Sequence, residues 1–165
     1  MSANRKVFVA LLVLSVVQTF LYYPQVPEVM ASHFDGAGHP NGWMPKTAFF
    51  CLHLAMMAIM TLSFLFLPRS LNQFPIRTWS LPRKDYWLSP ERREATQRFI
   101  QDQMLLFGIA TLVLLIVIIQ LAIEANLNPP PTLSSITKQF LVGYFVFTAA
   151  WLMRFFYRFA RAPAV

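Results

Sequence analysis

Four long apolar windows constrain the fold of this chain more than any other feature of its sequence. They are Val7–Tyr23, Thr47–Leu67, Met104–Ile123 and Gln139–Phe156, and each has roughly the 17 to 25 residues that a helix needs to cross a bilayer. In the third, twelve residues between Leu105 and Ile119 are Leu, Ile, Val or Phe, which contributes about −4 to −7 kcal/mol of insertion free energy. We therefore predict an all-α integral membrane protein with four transmembrane helices.

Composition supports this fold class over a soluble one. Hydrophobic residues make up 56% of the chain and charged residues 13%, whereas soluble domains are about one quarter charged. The first window follows Arg5 and Lys6, as the core of a signal peptide would. However, its apolar run continues to Tyr23, beyond the length of a signal core, so we expect a retained first helix.

The distribution of positive charge predicts the orientation of the helices. Twelve of the fourteen Lys and Arg residues precede the first window, lie between the second and third, or lie in or after the end of the fourth. Only Lys46 and Lys138 fall in the other two loops. By the positive-inside rule, we expect both termini to face the cytoplasm. Basic flanks near anionic lipid account for the net charge of +7, so we expect the lipid bilayer, and no nucleic acid, as partner.

These windows divide the chain into three parts. Residues 1–67 form a two-helix unit with an outer loop at 24–46, and residues 104–165 form a second helix pair with a Pro-rich outer loop at 124–138. Residues 68–103 form a cytoplasmic loop in which basic residues alternate with Phe74, Trp79, Tyr86 and Trp87. This pattern is typical of a segment at the membrane surface, with a docking surface for a cytoplasmic partner as the alternative.

A helix start follows within this cytoplasmic loop. Ser89 is predicted as an N-cap with Pro90 at the first helical position. Glu94 and Arg98 are spaced for an ion pair along the helix. We expect this juxtamembrane helix to run from Pro90 without a break into the third span.

The first outer loop, Ser32–Trp43, carries unusual polar chemistry for a segment between two apolar helices. It holds two of the three histidines and two turn-forming dipeptides, Asp35-Gly36 and Asn41-Gly42. We predict a small ordered extracytoplasmic cap in which Pro27–Ser32 forms a short helical turn. Trp43 is expected to lie at the outer membrane interface.

The segment "YPQVPEVMASHFDGAGHPNGWMPK" resembles a bacterial membrane family of unknown function whose domain also forms the N-terminal part of SdpI-type proteins. The resemblance covers about residues 7–67, and "KDYWLSPERREAT", Lys84–Thr96, is similar to short members of the family. It implies a protein of the bacterial cytoplasmic (inner) membrane that senses, or gives immunity to, a secreted killing factor. No cofactor is expected. The candidate recognition residues are His33, Phe34, Asp35, Gly38, Pro40, Trp43 and Lys46.

Metal binding is a weaker alternative. His33, His39 and His53 all fall on or near the outer side, and His53 lies about 9 Å below the start of the second span at 1.5 Å per residue. Their spacing matches no standard zinc motif, and no metal site is assigned. We expect instead that His33 and His39 cap turns in the loop and that His53 bonds a carbonyl of a neighbouring helix or loop. A set of soft ligands suited to Cu(I) is less favoured still: Cys51, His53, Met56, Met57 and Met60.

Three functions remain open, and the sequence shows no catalytic group. The first is a non-enzymatic protein of envelope sensing, toxin immunity or signalling, which binds a secreted peptide or another ligand at its outer loop. The second is an accessory subunit of a larger membrane protein complex, and the third is a protein that handles a metal or a small molecule. Gln18 and Gln120, within two apolar windows, are predicted to hydrogen-bond between helices rather than to form a transport path.

Overall fold

The computed structural model describes residues 3–70 and 81–161. Its elements are, in chain order, α1 (Ala3–Tyr22), β1 (Val29–Phe34), β2 (Pro40–Pro45), α2 (Lys46–Ser70), α3 (Lys84–Trp87), α4 (Arg93–Leu127) and α5 (Ile136–Ala160). Among these, α1, α2, α4 and α5 are long and apolar enough to span a membrane. The chain is therefore a mostly helical, multi-pass membrane protein.

Helices α1, α2 and α4 pack together around a buried apolar cluster. Phe8, Met57 and Leu112 are fully buried at its centre. Gly108 permits this close approach, because a Cβ at that position would lie 2.5 Å from Cγ of Phe64 and 2.7 Å from Cζ of Phe8. Small residues at helix contacts are typical of membrane bundles, in which packing replaces the hydrophobic effect as the source of association.

A polar network joins α1 to α4 inside the apolar bundle. The side-chain amide of Gln18 donates to Gln120 Oε1 at 2.9 Å. Gln120 Nε2 in turn donates to the Tyr22 hydroxyl at 3.0 Å and to Glu124 Oε1 at 2.8 Å. The prediction that Gln18 and Gln120 hydrogen-bond between helices is confirmed, and their bond joins the C-terminal half of α1 to α4.

Helix α5 packs against α4 through aromatic side chains. The rings of Phe107 and Trp151 lie 4.8 Å apart between centroids, and the hydroxyls of Thr111 and Tyr144 are 2.8 Å apart. The opposite face of α5 is exposed, with Phe145 and Met153 two-thirds accessible. This helix therefore lies at the edge of the bundle rather than within it.

A second aromatic cluster ties α3 to the end of α5. Trp87 Nε1 donates to the Phe159 carbonyl at 2.9 Å, and the two rings meet edge to face. The Arg158 guanidinium lies 3.8 Å from the centre of the Phe99 ring. Trp87 is thus part of a packed contact within the protein, whereas Phe74 and Trp79, from the same predicted surface segment, lie outside the described residues.

The predicted start of the third long helix is wrong by three residues. The helix begins at Arg93 rather than Pro90, and Ser89 instead closes a turn in which its carbonyl accepts from the amides of Arg92 and Arg93. The Ser89 hydroxyl accepts from the Arg92 guanidinium at 3.3 Å and does not cap the helix. The other expectations hold, since α4 continues unbroken into the third span and Arg98 pairs with Glu94 at 2.6 Å.

The segment between α1 and α2 is a β-hairpin, which corrects the prediction of an all-α protein. Strands β1 and β2 pair antiparallel, with Ala31 opposite Trp43 and Phe34 opposite Pro40. The short helical turn expected at Pro27–Ser32 is also wrong, because β1 occupies most of that segment. As an extended strand, β1 buries the Met30 side chain in the core. The backbone of its next residue, Ala31, hydrogen-bonds a side chain of α4.

Candidate functional site

The turn of the hairpin is organised by Asp35. Its Oδ1 accepts from the backbone amides of Ala37 at 2.8 Å and His39 at 2.9 Å, and its own amide donates to the His39 carbonyl at 2.9 Å. These bonds, the one from His39 above all, hold the pKa of the Asp35 carboxyl below its ordinary value of 3.8. The dipeptide Asp35-Gly36 thus lies in a turn as predicted, with the carboxylate as its organising group.

Gly38 docks the hairpin turn onto the segment between α4 and α5. It has a positive φ of 92°, and its carbonyl accepts from the Leu133 amide at 2.9 Å. A Cβ on Gly38 would lie 2.7 Å from the Leu133 carbonyl oxygen. Only glycine combines this backbone conformation with this approach, which gives Gly38 a structural role.

Asn126 anchors the middle of β1. Its Oδ1 accepts from the Ala31 amide at 2.7 Å, and its Nδ2 donates to the Ala31 carbonyl at 2.9 Å and to the Ala122 carbonyl at 2.8 Å. Asn126 is only 3% exposed. Sequence reasoning missed this residue, although a polar side chain at the end of a strongly apolar window was an available signal.

Lys46 stabilises the base of the hairpin. Its ammonium group lies 2.8 Å from Glu28 Oε1, and its backbone amide donates to the Glu28 carbonyl at 2.9 Å. It also lies 4.9 Å from the centre of the Tyr23 ring. The Lys46 side chain is mostly buried, so its contacts link the end of α1, the start of β1 and the start of α2.

Between the hairpin turn and the start of α5 is a cleft of about 530 Å³, which we call the hairpin cleft. It is lined by residues 34–38 on one side and by residues 132–135, Thr137, Lys138 and Leu141 on the other. Asp35 contributes a carboxylate to it and Lys138 an ammonium group. The Thr137 hydroxyl is buried and has no hydrogen-bond partner within the described part of the chain. The lining of the cleft therefore includes both signs of charge, hydroxyl-bearing residues and the apolar residues Phe34, Leu133 and Leu141.

The structure divides the predicted recognition residues into separate groups. Phe34, Asp35 and Gly38 line the hairpin cleft. The others lie elsewhere on the hairpin or at its base: His33, Pro40, Trp43 and Lys46. Trp43 is 53% exposed on β2, which fits a position at a membrane surface.

Asn41-Gly42, predicted as a second turn, lies within β2 instead. Gly42 pairs with His33 at an irregularity in the register. A Cβ on Gly42 would lie 3.0 Å from the His33 Cβ. Glycine at this position therefore leaves room for the His33 side chain, and it does not form a turn.

Among the described residues, the histidines are not gathered into a set of metal ligands. In the described ranges, no group of three His, Cys, Asp or Glu side chains lies close enough to hold a metal ion. His39 Nδ1 lies 3.6 Å from Asp35 Oδ2 within the turn, and the His33 ring lies beside Ser32. His53 is buried on α2, and its Nε2 has no hydrogen-bond partner among the described residues. The expected bond from His53 to a carbonyl is therefore absent from the described part of the structure.

The soft-ligand set on α2 is also dispersed. Met57 is fully buried in the core, whereas Met56 and Cys51 are exposed on the surface of the helix. These sulfur atoms therefore lie on different faces of α2, one that packs into the core and one that is exposed. This arrangement does not favour a copper site.

Comparison with known proteins identifies one domain in the chain. Residues 10–60 match the model of a domain of unknown function, DUF1648. The match includes most of α1, the whole hairpin and the first part of α2, and it lies inside the segment of the sequence resemblance. No curated protein and no solved structure matches the chain.

Proposed function

We propose that this protein is a non-enzymatic, multi-pass protein of the bacterial inner membrane that binds an extracytoplasmic ligand in the hairpin cleft. Envelope sensing, toxin immunity and signalling, as in SdpI-type proteins, are the processes in which it would act. One observation carries this proposal: an ordered hairpin is held over the bundle by contacts to three other parts of the chain. A preformed cleft loses little conformational entropy when a ligand binds.

The proposed orientation rests on charge. Twelve of fourteen Lys and Arg residues belong to the segments predicted as cytoplasmic, and the positive-inside rule places such segments in the cytoplasm. In that orientation the hairpin and the start of α5 face outward, together with the cleft between them. Both termini and α3 face the cytoplasm.

The chemistry of the cleft supports a peptide as the ligand. Its charged groups, Asp35 and Lys138, complement an ammonium and a carboxylate group, and its hydroxyls complement backbone amides and carbonyls. Phe34 and Leu141 supply apolar surface for a side chain. A secreted peptide carries all of these groups, whereas an ion or a lipid chain carries only some.

A pair of matched substitutions tests the proposal. Ala37 is exposed and lines the cleft, so Ala37→Trp fills the cleft without removing a bond of the turn. Asn41 is exposed on the same hairpin outside the cleft, and Asn41→Trp is the control. Bacteria that lack the protein are complemented with each variant and exposed to the secreted peptides of starved sister cultures, and survival is measured.

We expect wild type and Asn41→Trp to restore protection and Ala37→Trp to fail at equal membrane abundance. Equal protection by both variants would show that the cleft is not the binding site. Unchanged survival on deletion of the protein would contradict the immunity role itself.

A second function, as an accessory subunit of a larger membrane complex, is favoured by α5. This helix packs mainly against α4, and its outward face carries four strongly exposed apolar side chains: Val142, Phe145, Val146 and Met153. A partner helix would bury this face by van der Waals packing. Gentle solubilisation and purification separate the two functions, because a stoichiometric membrane partner that is lost on Phe145→Ala supports the subunit role.

A further inference from the structure

Three arginines form a row at the end of α5, which we call the arginine stripe: Arg154, Arg158 and Arg161. Spacings of four and three residues place neighbouring members on the same side of a helix, with Cβ atoms about 5–6 Å apart. All three side chains are exposed. Like charges at these spacings repel each other, so an anion beside the arginine stripe would stabilise the end of α5.

The chain provides no acidic side chain for the arginine stripe. All seven Asp and Glu residues belong to the described ranges, yet no ion pair in those ranges includes a member of the stripe. By contrast, Arg98 on α4 pairs with Glu94 at 2.6 Å. The anion that fits the stripe therefore comes from outside the described part of the chain.

Aromatic rings hold the middle arginine of the stripe in place. The Arg158 guanidinium lies over the Phe99 ring of α4, 3.8 Å from its centre, and 6.0 Å from the centre of the Trp87 ring. Both rings meet the buried Phe159 ring edge to face. Within the described residues, the Arg158 guanidinium makes no hydrogen bond. Its N–H donors are thus available in a side chain that is already positioned, so binding costs little conformational entropy.

The length of α5 places the arginine stripe at the level of lipid headgroups. Its 25 residues extend about 37 Å at 1.5 Å per residue, whereas the hydrocarbon core of a bilayer is about 30 Å thick. The last turns therefore reach the headgroup region, and arginine side chains near a helix end extend toward it. Lipid phosphate groups are the anions at this depth.

The depth of Arg154 favours a lipid over an acidic protein segment. Arg154 lies seven residues before Arg161, about 10 Å deeper along the helix axis. An acidic peptide would have to enter the headgroup layer to reach it, whereas a phospholipid phosphate is already there. Guanidinium groups also match phosphate oxygens in geometry, which makes arginine a frequent phosphate ligand.

We propose that the arginine stripe binds the phosphate of one anionic phospholipid in the leaflet that meets this end of the bundle. Arg158 donates to the phosphate oxygens from its position over Phe99, and Arg154 and Arg161 add positive charge on either side. The site is independent of the proposed function, because the hairpin cleft is lined by the opposite end of α5.

The test compares three probes on the full chain in uncharged detergent micelles: phosphatidylglycerol, phosphatidylcholine and glycerol phosphate. Native mass spectrometry counts the bound molecules at each concentration. We expect phosphatidylglycerol to bind about 10-fold more tightly than phosphatidylcholine, whose headgroup carries its own positive charge. Glycerol phosphate has the anionic group without acyl chains and should bind still more weakly. Equal binding of both lipids, or tighter binding of glycerol phosphate, would overturn the proposal.

Three variants at exposed positions locate the site. Arg158→Gln removes the central charge, and Arg158→Lys keeps the charge but lacks the planar guanidinium. We expect each to bind phosphatidylglycerol about 3- to 10-fold more weakly, the factor that one net hydrogen bond contributes. Arg98→Gln is the matched control, because it removes one positive charge from a residue that Glu94 already pairs, and its affinity should stay within about 2-fold of wild type.

The variants also separate a site from a general positive surface. If Arg158→Lys binds phosphatidylglycerol as tightly as wild type, charge alone accounts for the binding and the proposal fails. An equal loss of affinity in Arg98→Gln and Arg158→Gln would overturn it in the same way.

Discussion

The side-chain amide of Asn126 on α4 pairs with both backbone groups of Ala31 on β1, a residue that precedes it by 95 positions. The two distances are 2.7 Å and 2.9 Å, and both residues are buried. Asn126 thus makes with Ala31 the two backbone hydrogen bonds that a neighbouring strand would make. Through this pair the hairpin becomes part of the helical core instead of a separate loop.

We predict that Asn126→Ala lowers the free energy of unfolding by about 2–4 kcal/mol, because it leaves the buried amide and carbonyl of Ala31 unpaired. Asn128→Ala is the matched control, since the Asn128 side chain is exposed and, among the described residues, bonds only the Glu124 carbonyl. Its cost should stay below about 1 kcal/mol. Denaturation in mixed micelles measures both values, and similar losses in the two variants would contradict the anchoring role of Asn126.

Gly38→Ala should detach the hairpin turn from Leu133. The added Cβ meets the Leu133 carbonyl oxygen at 2.7 Å, and the positive φ of Gly38 adds strain, for a cost of about 1–3 kcal/mol. Faster hydrogen exchange of the Leu133 amide is the expected signal, since that amide donates to Gly38. Gly36→Ala should leave it unchanged, because no atom of the described residues lies within 4 Å of a Cβ there. Protection lost equally in both variants would refute this prediction.

Gly108→Ala tests the packing of the three-helix core. The new methyl group would overlap the rings of Phe8 and Phe64, and such overpacking costs about 1–3 kcal/mol. Gly143→Ala, on α5, adds a Cβ that meets no atom within 4 Å in the described part of the chain. It should be neutral or stabilise the helix by up to about 1 kcal/mol. If thermal denaturation ranks the two variants in the reverse order, the packing of α1, α2 and α4 described above is incorrect.

The hairpin turn should loosen in acid. Backbone amides, that of His39 foremost, lower the pKa of Asp35 below 3.8 in the folded protein. A carboxyl group whose pKa is lowered by folding stabilises the folded protein at a pH above its unfolded-state pKa. This stabilisation is lost as the pH falls through the folded-state pKa. The amide proton shifts of Ala37 and His39 should therefore titrate together with a midpoint below 3.8.

Asp35→Asn is the control for the acid titration. Its side-chain oxygen can still accept both backbone bonds, but it carries no proton to titrate, so the transition should vanish. A transition that persists in this variant, or a wild-type midpoint at or above 3.8, would show that Asp35 does not govern the turn.

The helical part of the fold could be predicted from the sequence because bilayer thickness imposes a minimum apolar length, and windows such as Met104–Ile123 exceed it. The hydrogen bonding of Gln18 and Gln120 between helices was predictable for a related reason, since an amide within lipid requires a partner. Helix ends were predicted less well. Ser89 and Pro90 form a typical start signal, yet the Ser89 hydroxyl bonds a guanidinium instead of the backbone.

The hairpin could not be predicted from local pattern. Its strands are short, Pro40 and Pro45 lie at the ends of β2, and Asn41-Gly42 has the composition of a turn. Besides its pairing with β2, β1 is stabilised by the bond to Asn126, which is distant in sequence, and no local rule detects such a bond. The cleft was missed for the same reason, because seven of its twelve lining residues come from the connection between α4 and α5 and from the start of α5.

The central claim is that the hairpin lies outside the cytoplasm while the α3 end lies within it. Single cysteines at two exposed positions test it, Gly36→Cys on the hairpin and Ala95→Cys at the start of α4, each in a Cys51→Ser background. Intact cells are treated with a membrane-impermeant maleimide before and after permeabilisation of the inner membrane. The account predicts that Gly36→Cys is labelled in intact cells and Ala95→Cys only after permeabilisation; the reverse pattern, or labelling of both in intact cells, would contradict it.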